Sequence, residues 1–496
     1  MELKKNLLQC YEMVCHTTIC QEETLEAIVP DACPDILQIV TMCGQVCVLS
    51  TSAKEGQGGL TGMVESTVLY CPEGGGTVEK MTVRIPFQCL VDMSDLTADG
   101  VVCGTAQLAR CEARLLNPRK ILVRVEIAIC LSGYEPQTVN LCCGVDHHDG
   151  MEGRMVGVDC HPIVSVQRKE FTYEEVIGLQ GEGLVCSRIF PVCHESKVIG
   201  TKLIFKGEIE LQILQSLEDG SLSVSRHQLP FSQVMEVEEL GEEGCPEVEI
   251  VVESYHIHSD YGDDHSVEVS IDLVAQAVVR GKQRVEILED CYSTTHELEV
   301  DYQPISLVTS AERLVAPQAV RKMIETEFPI KTVEDDWVFM GEILKHREGE
   351  EMTLTVPLVV TLLAIGEDNE LRSVQEVVEV SHTIACPTQC DCICCCTMQG
   401  DVYGAPAVGG VELRLNCQFE CVLIEKTSVI GVNRVTLGEE RERGGTQVIL
   451  RMASEEESLW EIAKGYGTTM AQIISANEWE EDVPPVGRML LIPNMK

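Results

Sequence analysis

Hydrophobic and polar positions alternate with a period of two along much of this chain. In residues 207–214, Ile209, Leu211 and Ile213 fall on one face and Glu208, Glu210 and Gln212 on the other. That is the pattern of a half-buried strand. Three longer faces repeat it: Val123, Val125, Ile127 and Ile129; Val267, Val269, Ile271 and Leu273; and Val411, Leu413, Leu415 and Cys417. Sheets wet on one face are antiparallel more often than parallel. The acidic turns Glu73-Gly74-Gly75-Gly76, Glu218-Asp219-Gly220 and Gly366-Glu367-Asp368-Asn369 predict hairpins between such strands. No strong helix alternates with them, which favours a sandwich or open barrel over a βαβ fold. Helical stretches are few; residues 311–326, broken by Pro317, are predicted as one.

These strands recur with a fixed spacing. From Gly62 to Pro86 is 24 positions and from Gly207 to Pro230 is 23, each ending in Pro-Phe; from Pro86 to Val123 and from Pro230 to Val267 is 37 in both cases. Val123, Val267 and Val411 are then 144 residues apart. The third copy lacks the Pro-Phe and carries a cysteine-rich insert. Stacked copies of one β unit follow: β-rich repeats over residues 1–150 and 151–300, a diverged repeat over 301–437, a charged glycine-rich tether over 438–446, and a different module over 447–496. The expected fold is mainly β, with three sandwich- or barrel-like repeats.

The last module reads βααβ. Val448-Ile449-Leu450 opens it and Met489-Leu490-Leu491-Ile492-Pro493 closes it. Ser458-Leu459-Trp460-Glu461 and Thr469-Met470-Ala471-Gln472 are capping boxes. Gly467 can end the first helix in a left-handed conformation, and Asn477 is the expected stop of the second. The stretch from Ser458 to Gly467, with Ile473-Ile474-Ser475-Ala476-Asn477 and Val486-Gly487-Arg488-Met489-Leu490-Leu491-Ile492-Pro493, resembles a LysM domain. The resemblance implies an α+β module that binds N-acetylglucosamine-containing glycans in a groove. The small turn residues usual before the first helix are here Glu456, Glu457 and Ser458, preceded by Glu455, and the opposite wall carries Glu478, Glu480, Glu481 and Asp482. Glutamate obstructs the close approach that glycine allows, so an acidic groove suits a basic protein face better than a sugar.

Charge points the same way. With 80 acidic and 37 basic side chains the chain carries −43, and its sequence shows no basic stripe of the kind that neutralises phosphates; both argue against nucleic acid, and the charge also against an anionic membrane surface. No signal peptide and no run of about 20 apolar residues is apparent, so the expected compartment is the cytosol and the 26 cysteines read as reduced thiols.

Repeated β units with Gly to Ile-Pro-Phe segments, the motif Asp31-Ala32-Cys33-Pro34-Asp35-Ile36 leading to Gly44-Gln45-Val46, and a terminal LysM together resemble the SipL-type spore-coat morphogenetic proteins of clostridia. Those proteins carry SPOCS-type repeats, matched best by residues 31–87 and 200–231. The resemblance implies a mother-cell protein at the forespore surface and spore coat, whose LysM docks onto the morphogenetic ATPase of the coat basement layer and helps encase the spore. The docking residues expected on the groove rim are Glu456, Glu457, Ser458, Trp460, Asn477, Glu478 and Trp479. The alternative is a peptidoglycan-binding protein of the wall or cortex. A wall hydrolase is a further rival.

Catalytic and metal chemistry find little footing. No nucleophile elbow, phosphate-cradling loop or acid–base pair frames any site, so no enzyme and no cofactor are expected. Cys386, Cys390, Cys392, Cys394, Cys395 and Cys396 are dense but lack paired Cys-x-x-Cys knuckles; they read as reduced thiols before a metal site, with cross-linking between coat proteins implied only by the resemblance. Cys142 to Asp149, with His147 and His148, reads as a solvated linker. His256 and His258, with Asp260, Asp263, Asp264 and His265, read as a polar hairpin tip.

Overall fold

The computed structural model describes residues 3–75, 77–145, 150–179, 181, 183–237, 244–259, 266–441, 448–452, 457–479 and 489–493. The protein is mainly β, and the helices among the described residues both lie in the C-terminal module.

The first repeat runs β1 (Leu3–Ile28), β2 (Ile36–Lys54), β3 (Gln57–Pro72), β4 (Glu79–Asp92), β5 (Val101–Asn117) and β6 (Lys120–Val145). The long strands β1 and β6 pair antiparallel from Leu3 opposite Val145 to Ile28 opposite Lys120, with β5 beyond β6, while β2, β3 and β4 form a separate meander. Alternation explains why the two sheets face each other: Leu60, Val64, Val68 and Ile85 of the meander share one core with Val123, Val125, Ile127 and Ile129. That is a β-sandwich.

The second repeat runs β7 (Met151–Cys160), β8 (Ile163–Gly178), β9 (Gly183–Ile199), β10 (Lys202–Ser216), β11 (Leu222–Glu236), β12 (Gly244–Ser259), β13 (Ser266–Gly281) and β14 (Gln283–Ser293). Its long strands are interrupted at Pro162 and Lys282, so β8 pairs with β13 and β7 with β14. The third runs β15 (His296–Glu325), β16 (Ile330–Met340), β17 (Leu344–Glu348), β18 (Glu351–Gly366), β19 (Leu371–Ala385), β20 (Cys390–Met398), β21 (Tyr403–Ala407) and β22 (Gly410–Glu440). The inward faces at Val267 and Val411 fill the second and third cores as Val123 fills the first.

The Gly…Pro-Phe motif has a structural cause. Gly62 lies opposite Phe87 and Gly207 opposite Phe231, and a Cβ on either glycine would meet the ring at 2.3 and 2.7 Å. In the third repeat the turn fixes the register. Asn369 N–H donates to Gly366 O as Gly220 N–H does to Leu217 O, and both turn residues have positive φ, 62° and 78°. Counted back from these turns, Val356 opposite Val380 replaces the glycine–phenylalanine pair: two medium side chains stand in for one large and none. Gly207→Ala should destabilise the protein by about 2–3 kcal/mol, because the new methyl would also lie 1.9 Å from the Val192 carbonyl oxygen. A urea titration reads this, and a loss under about 0.5 kcal/mol would refute the packing account.

Several expectations are corrected. Residues 311–326 are not helical; all but Thr326 belong to β15, which pairs along β22. Residues 438–440 are not a tether but the end of β22, with Glu440 opposite His296, and Arg441 N–H donates to Thr295 O; residues 442–447 lie outside the described residues. Cys142 to Val145 are not a linker but the end of β6, with Cys142 buried; His147, His148 and Asp149 lie outside the described residues. The proposed 300/301 domain boundary falls inside β15.

The repeats meet around buried polar contacts. Arg188 of β9, 1% exposed, makes a bidentate pair with Asp335 of β16 at 2.9 and 2.7 Å, and the Gln45 side chain of β2 accepts from Ile189 N–H at 2.9 Å. Beside them, burial pushes the Asp336 carboxyl up to about 6 despite bonds from Gly404 N–H and Arg226. Its folded-state pKa exceeds the ordinary value of about 3.9, so between about pH 4 and 6 the folded state holds more protons and stability falls as pH rises. Asp336→Asn should flatten that slope in melting temperature against pH; an unchanged slope would assign it to other groups.

Candidate functional site

The C-terminal module consists of β23 (Val448–Met452), α1 (Leu459–Tyr466), α2 (Met470–Asn477) and β24 (Met489–Pro493), in the βααβ order. Both capping boxes form: Ser458 and Thr469 accept from the N–H groups of Glu461 and Gln472, whose side chains bond back to the cap N–H groups. These contacts satisfy helix-start amides that would otherwise be unpaired. Gly467 ends α1 with φ 61°. The left-handed residue after α2 is Glu478, φ 56°, and not Asn477, which is the last helical residue.

The module is built onto the repeats. Leu459, Ile462, Ala463, Ile473, Leu490 and Ile492 form its core together with Tyr292 of β14. The register of β14 against β7 shifts between Leu288 and Asp290, and such a bulge re-aims the following side chain. The Asp290 carboxylate accepts from Trp460 Nε1–H at 2.7 Å, from Lys464 Nζ at 2.8 Å and from Tyr302 O–H at 2.6 Å. Burial alone would raise this carboxyl, yet the bonds from Lys464, Trp460 and Tyr302 hold it below the ordinary value. Tyr292 O–H donates to Thr468 O at 2.8 Å, its ring meets Trp460 edge-on at 4.9 Å, and the Arg154 guanidinium lies 5.6 Å from the Trp460 ring centre.

The expected rim residues therefore occupy diverse places. Trp460 is 6% exposed and faces β14. Asn477 braces the closing strand: its Nδ2 donates to Ile473 O and Leu491 O, and its Oδ1 accepts from Leu491 N–H. Ser458 caps α1. Glu457 accepts from Arg451 of β23. Glu478 is exposed, and Trp479 is half-buried against the module core. Glu455, Glu456, Glu480, Glu481 and Asp482 lie outside the described residues, so the acidic walls are represented here by Glu457 and Glu478. Asp290, Tyr292, Tyr302 and Arg154 escaped sequence reasoning. The available signal was Trp460 and Lys464 at i and i+4, an aromatic and a cation on one helix face facing something acidic.

Elsewhere, Cys390, Cys392, Cys394 and Cys396 alternate along β20. Among the described residues no group of three or more His, Cys, Asp and Glu side chains is arranged to hold a metal. His256 and His258 stack at 6.2 Å on β12; Asp260, Asp263, Asp264 and His265 lie outside the described residues. No helix among the described residues is long and apolar enough to cross a membrane.

Two family models match the chain: the SipL, SPOCS domain over residues 35–116 and the LysM domain over residues 454–493. The first covers β2 to β5, entered through the loop that Arg119 clamps by donating to Cys33 O, Asp35 Oδ1 and Val29 O. No curated protein and no solved structure matches it. The chain thus carries a SPOCS domain of the SipL type and a C-terminal LysM domain, the pair that the sequence resemblance requires.

Proposed function

We propose that this chain, with its SPOCS and LysM domains, is a non-enzymatic sporulation protein that assembles the spore coat. It works in the mother cell at the forespore surface, where the LysM module docks onto the ATPase of the coat basement layer. The repeats form the body that carries the module. The observation that supports a protein partner over a glycan is the fate of Trp460. Its ring is covered by Tyr292 and its N–H is committed to Asp290, so it offers no free face for stacking on a sugar. The net charge of −43 suits a partner with a basic docking face. The rival, a peptidoglycan-binding protein, draws on the LysM match itself.

Binding of the full chain to the basement-layer ATPase and to a chitin or peptidoglycan oligomer, at physiological salt, separates the two. The expected result is ATPase binding that weakens roughly tenfold when Glu457 is changed to Lys, since reversal places a cation beside Arg451 on the docking rim. Glycan binding without ATPase binding would overturn the proposal.

A further inference from the structure

The cysteines of the third repeat are gathered where thiol chemistry can occur. Strand β20 is the outer strand of the sheet ordered β15-β22-β20, and its even-numbered cysteines share a face. Cys394 lies directly opposite Cys421 of β22, whereas Cys392 lies opposite Leu423. The Cys392 thiol lies near enough to those of Cys394 and Cys421 for the three to influence one another's ionisation. Strand β17 covers this edge with two cations. Lys345 Nζ donates to Cys392 O at 2.9 Å, and Arg347 donates to Cys386 O, Pro387 O and Cys390 O and reaches Cys386 Sγ at 3.1 Å. His16 of β1 is near enough to feel both Lys345 and Cys392, and burial keeps it neutral, down to about 4.

We propose that Cys392, Cys394 and Cys421 form a peroxide-reactive thiol site that closes a Cys394–Cys421 disulfide and staples β20 to β22. Cys392 is the entry point. It is half-buried, and the neighbouring Cys394 and Cys421 thiols, together with Lys345 and Arg347, hold its thiol well below the ordinary range. Thiolates in such electropositive, partly exposed surroundings are the reactive ones. Burial moves the Cys47 and Cys103 thiols the opposite way, up to about 12.

The steps balance. The Cys392 thiolate attacks one oxygen of hydrogen peroxide, the O–O bond breaks, and the hydroxide that leaves takes a proton to become water. The resulting sulfenic acid is attacked by Cys394, forming an S–S bond and releasing a second water. Cys421 then attacks the Cys394 sulfur and displaces Cys392 as thiolate. Two thiols lose two electrons and two protons, and one peroxide becomes two waters. Geometry selects the final bond. Directly opposite residues in an antiparallel pair lie about 4.5–5.5 Å apart at Cα, inside the disulfide range, whereas the diagonal from Cys392 to Cys421 spans about 7–8 Å.

The test treats the reduced full chain with hydrogen peroxide, blocks free thiols with N-ethylmaleimide and maps tryptic peptides by mass spectrometry. The expected product links residues 373–414 to residues 415–426, with fragmentation placing the bond between Cys394 and Cys421. The link should survive Cys417→Ser, disappear in Cys421→Ser, and form at least about tenfold more slowly in Cys392→Ser. Absence of any link, a bond located elsewhere in the unsubstituted, peroxide-treated chain, or a rate indifferent to Cys392→Ser would each overturn the proposal. Fragment mapping in the unsubstituted chain decides the bond's location even if a variant folds poorly.

Discussion

Replacing Asp290 with alanine should destabilise the C-terminal module by about 3 kcal/mol while leaving the repeat cores folded. The carboxylate gathers the Trp460 N–H, the Tyr302 hydroxyl and the Lys464 ammonium, and its loss strands the buried indole donor and the hydroxyl together. Lys464 contributes little of the total, because its side chain is 37% exposed and water replaces the lost partner; Lys464→Ala should therefore cost far less than Asp290→Ala. A urea titration in a Trp337→Phe, Trp479→Phe background leaves Trp460 as the sole emitting tryptophan and reports on this joint. Since the Asp290 carboxyl is held below its ordinary value, its contribution is complete above about pH 4 and fades as pH falls through the folded-state pKa. The deficit of Asp290→Ala should accordingly be constant from pH 8 to 5 and shrink in stronger acid. A change within about 0.5 kcal/mol would mean that Tyr292 and the apolar contacts alone hold the module.

What could be read from the sequence is what repeats or is local. The 144-residue spacing of Val123, Val267 and Val411 marks equivalent core strands, and the capping boxes at Ser458 and Thr469 mark both helices, because each is a contact between near neighbours. The failures are long-range. Residues 311–326 contain good helix formers, yet Ala311 to Ile324 pair residue by residue with β22, and this tertiary pairing overrides propensity. Pro317 is tolerated because β15 is at the edge of its sheet, where a missing N–H breaks no inner ladder. Residues 438–440 look like a tether only until their partner, over 140 residues upstream, is known. The same holds for the groove. Asp290 reaches Trp460 through a bulge in a strand that no local pattern ties to the LysM module, so a tryptophan expected on the docking rim packs against β14 instead.

Replacing Arg188 with alanine should be the most damaging single change in the repeats, at about 3–5 kcal/mol. The guanidinium is buried with Asp335, which is 3% exposed; it also donates to Gln212 and lies 5.0 Å from the centre of the Trp337 ring. Removing it leaves a carboxylate without a counterion in a low-dielectric junction, where water cannot replace the partner. The pair as a whole is a different matter, because desolvating both ions offsets most of their attraction. Arg188→Met with Asp335→Leu, which removes both charges at similar volume, should recover most of the loss. Urea titrations of the four combinations give the coupling energy directly. If Arg188→Ala costs under about 1 kcal/mol, or if the double variant is no better than the single one, the buried charge is not what ties the second repeat to the third. Recovery in the double variant would instead identify the ion pair as a device for register, selecting which strand β9 meets, with packing around Trp337 supplying the stability.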